Sequence, residues 1–232
     1  MNNPKPNITI PVDLTNPGQF FACCGLLELA DRLWPGAEGW FERQDFCIVT
    51  VDRSKTLSEL LGEVNTLTFD VGDDSDAEDN DDKDDDLPVD PISPVDPIRL
   101  NWKNKRHAIH LDWWKEKSIK PWAGSMKERV ILRAMLDAIN PENDNPFSDL
   151  KGVLYQSPKK NEKGKLKKPA KKEPFYFDPR RGNKSHPLDC GFSPNTHHME
   201  AACCPALEAI CFIGLQRARP APTGVANQSR YT

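Results

Sequence analysis

The sequence predicts an α+β protein with a mixed or antiparallel sheet, two largely buried helices and a third, amphipathic one. Three observations carry this. Short alternating apolar runs occur in pairs close along the chain, as hairpin strands do. Two helical stretches, about 17–33 and 205–215, are apolar around most of their circumference, so each belongs inside and packed on a sheet. Helices are interspersed among the hairpin-like strands, without the regular strand-helix alternation of a parallel α/β sheet.

Ile8, Ile10 and Val12 alternate and predict the first strand. Asn16-Pro17-Gly18-Gln19 then fits a helix start, with Asn16 as N-cap, Pro17 in the first helical position and Gln19 placed to reach back to the cap's N–H. The helix from about Pro17 to Leu33 keeps one narrow polar edge, Glu28, Asp31 and Arg32. Gly39-Trp40-Phe41 and Phe46 to Val51 supply two more strands and a β-α-β-β order. Strands are expected at Ile98–Trp102 and Ala108–Trp113. Ser125 and Glu128 form a capping box for a helix of about 125–139, whose stripe is Val130, Ile131, Ala134, Met135, Ala138 and Ile139 and which Asn140-Pro141 ends. An extended Pro174–Asp178 and a polar loop precede the last helix. Asn227–Thr232 reads as the start of a further strand, which predicts that a C-terminal piece is missing.

The 232 residues predict one domain, 1–232, with two insertions that have neither helical nor strand period. The first, 73–97, joins an acidic run to a proline-rich tract; Asp73–Asp86 has ten acidic residues against Lys83. The second, 158–173, contains the run Lys159–Lys172, with eight lysines against Glu162. Both are expected to be disordered or extended loops. They dominate the net charge of −4, and the rest of the chain is close to neutral, so global charge argues neither for nor against a polyanion partner. The longest apolar run, Phe20–Leu27, is far short of the ~18 residues that cross a bilayer. The N-terminus has no secretory h-region, and the seven cysteines have no framework spacing. A cytoplasmic protein with reduced thiols and no membrane partner is expected.

Three kinds of chemistry are open to these residues. Cys190, His197, His198, Cys203 and Cys204 are close enough in sequence for a metal- or thiol-dependent enzyme, but there is no C-x-x-C knuckle, so packing is the better reading. Cys23-Cys24 read as apolar filler of the first helix. His107 and His110, three apart in a strand, fall on opposite faces. Hydrolase chemistry lacks any G-x-S-x-G, P-loop or H-E-x-x-H, and Asp112, Asp178 and Asp189 are isolated. The chain is therefore read as a non-enzyme, with no cofactor, no catalytic residue and no metal site. Polyanion recognition has more residues behind it. Lys103, Lys105 and Arg106 follow Trp102; Lys120 and Trp122 repeat the mixture near Trp113-Trp114; Arg180, Arg181 and Lys184 form a basic, glycine-containing loop. Guanidinium groups pair with phosphate and indoles stack on bases. Arg217 and Arg219 complete the candidate set, although a helix C-terminus favours positive charge in any case.

Several stretches resemble the third Csb family of CRISPR-associated proteins, of subtype I-U, also called I-G. They are Asn16 to Ala30 with Gly39-Trp40-Phe41; Leu111-Asp112-Trp113-Trp114 with Trp122 to Met126; and Phe175 to Arg181, Gly191 to Asn195, and Ile213 to Arg217 with Arg219-Pro220. Together they span most of the chain outside the charged insertions, which are not part of the family's signature. The resemblance implies a non-catalytic subunit of a type I (Cascade-type) RNA-guided surveillance complex in antiviral defence. Its role there would be that of a large or small subunit that contacts guide RNA or target DNA and neighbouring effector subunits. A purely architectural, protein-binding subunit is the alternative alongside the Cys/His enzyme.

Overall fold

A computed structural model describes residues 4–69, 98–103, 105–113, 128–152, 175–180, 202–222 and 229–231. The fold is α+β, with antiparallel sheets and helices sharing one apolar core. β1 (Ile8–Pro11), α1 (Pro17–Leu33), β2 (Glu38–Glu42) and β3 (Asp45–Val49) follow the expected order and make a three-stranded sheet, β1-β3-β2. The burial of Ile8, Ile10, Phe46 and Ile48 gives this sheet its inner face. Both pairings are antiparallel, Ile10 opposite Phe46 and Trp40 opposite Cys47.

The Asn16 cap is as expected: its Oδ1 accepts from the N–H groups of Gly18 and Gln19. Gln19 does something different from the expected capping-box contact. Its Oε1 accepts from the N–H of Asp13, 2.7 Å away, and so fastens the loop before the helix.

α2 (Leu57–Asn65) follows, a helix additional to the expected elements. Thr56 and Glu59 close a capping box, and Leu60, Leu61 and Val64 are fully buried. β4 (Thr68–Phe69), β5 (Ile98–Trp102) and β6 (Lys105–Leu111) form a second antiparallel sheet in that order. β6 starts three residues earlier and ends two earlier than expected, leaving Asp112 and Trp113 in a helical turn. α3 (Glu128–Ala138) buries Ile131, Leu132, Met135 and Leu136, while Ser125 lies outside the described residues. Two-stranded pairs are made by β7 (Lys151–Gly152) with β8 (Ala202–Cys203), and by β9 (Pro220–Pro222) with β10 (Ser229–Tyr231). The insertions 73–97 and 158–173 lie outside the described residues.

The centre of the molecule is α4 (Pro205–Gly214), buried at every position. It crosses α1 at glycines. A Cβ on Gly25 would stand 2.0 Å from the carbonyl oxygen of Ile210, and one on Gly214 only 1.9 Å from that of Phe21. The helices therefore meet backbone to backbone, with no room for a side chain at either glycine. Phe212 projects from α4 between Trp113, whose ring centroid is 4.8 Å away and edge-on, and Phe175, stacked at 4.6 Å.

Candidate nucleic-acid interface

The segment 175–180 was expected to be extended. It runs without strand pairing to a turn at Pro179-Arg180, and its backbone is held by carboxylates. Glu208 of α4, fully buried, accepts from the N–H groups of Phe177 and Asp178, each at 3.1 Å. Asp178, also fully buried, accepts from Asn16 Nδ2 at 3.0 Å and from the N–H and Nε of Arg180, both at 3.0 Å. Its other oxygen takes Arg180 Nη2 at 2.8 Å, and the same nitrogen donates to the carbonyl of Phe147. Gly18 completes the closure, since a Cβ there would be 2.4 Å from the Phe177 carbonyl oxygen. Burial alone would push the Asp178 carboxyl up. The hydrogen bonds from Arg180 and Asn16 outweigh it and hold the group below the usual carboxylate range.

This arrangement decides what Arg180 does. Its guanidinium is committed to Asp178 and a backbone carbonyl, and a charge reversal there would set two carboxylates together. Arg217 is committed as well: its Nε reaches Glu28 at 2.7 Å and its Nη2 reaches Asp31 at 3.2 Å, tying the end of α4 to the polar edge of α1. Glu28 also holds Arg32. Arg219 contacts Asp112 at 3.5 Å and is half exposed. Trp102 is not a stacking surface, because its indole is buried and donates to the carbonyl of Glu63. Trp113 is core too.

Among the described candidates, Lys103 is different. It is exposed, next to the Trp102–Lys105 pair that closes the β5–β6 hairpin, and has no carboxylate partner among the described residues. Lys105 and Arg106 open β6 beside it. Lys120, Trp122, Arg181 and Lys184 lie outside the described residues, as do Cys190, His197 and His198.

Sequence reasoning missed Arg43. It occupies the two-residue turn between β2 and β3 with φ of 57°, a conformation that costs a non-glycine residue roughly 1–2 kcal/mol. Its side chain is exposed, has no carboxylate partner among the described residues, and borders a cleft of about 1050 Å³. Leu14, Asn145, Ser148 and Arg180 line the same cleft, with Asp13 and Asp45 as its acids. Hydrogen bonds from the Thr15 hydroxyl and N–H hold the Asp13 carboxyl below its ordinary range, so the cleft carries both signs of charge at neutral pH. The available signal was an arginine in a short hairpin turn where glycine or asparagine is the common choice.

The thiols look structural. Cys203 and Cys204 flank the start of α4, both buried; Cys204 Sγ donates to the carbonyl of Pro146 and burial pushes its thiol up to about 11. Burial also raises Cys23 and Cys211. Such thiols stay protonated at neutral pH and are poor nucleophiles. Among the described residues no three His, Cys, Asp or Glu side chains converge on a metal position, and no helix is long and apolar enough to cross a membrane. Comparison with family models, with curated proteins and with solved structures returns no match.

Proposed function

We propose that the chain is a non-catalytic subunit of a type I CRISPR surveillance complex of the I-U/I-G kind, holding the backbone of guide RNA or target DNA and neighbouring subunits. One observation carries the reading. Stretches of the resemblance that are more than 130 residues apart in sequence form one structural unit: Asn16 bonds Asp178, Gly18 meets Phe177, Gly25 meets Gly214, and Arg217 reaches Glu28. A set of residues that specifies one packed centre is what a shared fold requires. In this reading they build the scaffold, and nucleic acid is held at exposed cations outside it, Lys103 at the hairpin that Lys105 and Arg106 continue in sequence, and Arg43 at another.

The test is retention of single-stranded RNA by the purified full chain across a salt series. Binding is expected to weaken with salt. Lys103→Glu should lower it and make the log–log slope shallower by about 0.7, the value for one lost phosphate contact on a single strand. Unaltered affinity and slope in Lys103→Glu and in an Arg43→Glu variant would remove both hairpins from the interface. Salt-insensitive assembly without RNA would favour the architectural alternative, which the commitment of Arg180 and Arg217 to internal carboxylates supports.

A further inference from the structure

The outer edge of the first sheet is the strongest unassigned surface. In the order β1-β3-β2, β2 is an edge strand, and among the described residues no strand pairs with its far side. Its two-residue turn makes Glu42 and Asp45 the closing hydrogen-bonded pair, so by alternation Gly39 and Phe41 aim their N–H and C=O groups away from β3. Edge strands are ordinarily protected by proline, lysine or a bulge. β1, the opposite edge, has Pro11, whereas β2 reads Glu38-Gly39-Trp40-Phe41-Glu42 and has none of these at its centre. Phe41 is 38% exposed and stacks on Phe20 of α1, itself 41% exposed, at 5.7 Å and 14°. Apolar surface is thus displayed beside unpaired backbone groups, with one exposed carboxylate at each end.

That charge pattern selects the occupant. A second copy pairing antiparallel about Trp40 would set Glu38 against Glu42 twice, and a parallel pairing would align identical acids, both unfavourable. Single-stranded nucleic acid would meet two carboxylates along the strand. We infer that β2 is a docking edge for an extended segment of a different protein, adding as a strand, with an apolar centre facing Trp40 and Phe41 and a lysine or arginine opposite each of Glu38 and Glu42. This concerns a protein partner: the RNA contact proposed at Lys103 lies on another hairpin, and the one at Arg43 adjoins β2 and is removed in the test by Arg43→Glu, so either proposal can fail alone.

The probe is a five-residue peptide, Lys-Val-Tyr-Val-Lys with blocked ends, and its twin with glutamate at both ends, titrated into the full chain to ~2 mM and read by backbone amide NMR. The lysine peptide is expected to shift the Gly39 and Phe41 amides saturably, with the glutamate twin at least tenfold weaker, and E38K/E42K should reverse that preference. Both substituted residues are exposed, so the variant keeps its fold. The inference is overturned by equal response to the two peptides or by no saturable response at Gly39 and Phe41. It is equally overturned by shifts confined to the Asp73–Asp86 run, by concentration-dependent dimerisation through β2, or, in the Arg43→Glu chain, by saturable shifts of these amides with oligouridylate instead.

Discussion

Gly214→Ala is expected to leave little folded protein. The new methyl would have to occupy a point 1.9 Å from the Phe21 carbonyl oxygen and 2.7 Å from the Gly25 nitrogen, both backbone atoms of a helix that cannot yield locally. Overpacking a core ordinarily costs 1–3 kcal/mol, where side chains give way. Here only separation of α1 from α4 relieves the clash, and it would open contacts buried along all of α4, so the loss should reach or exceed ~3 kcal/mol. Gly62 is the internal control, since a Cβ there meets nothing within 4 Å and Gly62→Ala should be neutral to slightly stabilising, as alanine is the better helix former. Chemical denaturation of the two variants checks this; equal midpoints would mean that the helices are not in backbone contact.

The second large effect is at Asp178. Removing its charge with Asp178→Asn leaves the Arg180 guanidinium without its counter-ion and gives Asn16 Nδ2 and the Arg180 donors an amide in place of a carboxylate. Breaking a fully buried pair costs 3–5 kcal/mol. Arg180 keeps a 38% exposed side chain and can rehydrate, so about 2 kcal/mol at neutral pH is expected. The pH dependence has a definite sign. The folded carboxyl lies below its ordinary value, so its stabilisation is complete above the unfolded pKa of about 3.9 and disappears as pH falls through the lower, folded value. The difference between wild type and Asp178→Asn should therefore be constant from pH 5 to 8 and shrink below pH ~4. A difference that grew on acidification would show that the carboxyl is not held by these donors.

Much of the fold was legible because local rules and burial agreed. Asn16-Pro17 announced α1, alternation announced β1, and the unbroken apolar character of α4 announced a central helix. α2 was legible and overlooked: Thr56 with Glu59, then Leu57, Leu60, Leu61 and Val64 at helical spacing, is a strong signal in a short segment. The candidate interface was harder to read, for a physical reason. A guanidinium looks the same in a sequence whether phosphate or a buried carboxylate will neutralise it. Arg180 and Arg217 find Asp178 and Glu28, 2 and 189 positions away, and only the second pairing depends on helices meeting across the chain. Trp102 and Trp113 were similarly ambiguous, and burial resolves them as core. Arg43 gave the opposite difficulty, since its turn conformation is the informative feature and sequence shows only an unusual residue for such a turn.

Ultraviolet crosslinking of the full chain to single-stranded RNA, with the attached peptides mapped by mass spectrometry, bears most directly on the division between scaffold and contact residues. Adducts are predicted within the β5–β6 hairpin around Lys103–Arg106, with peptides spanning Phe175–Arg180 and Ile213–Arg217 unmodified. Adducts concentrated on those two peptides, with the hairpin clean, would contradict it.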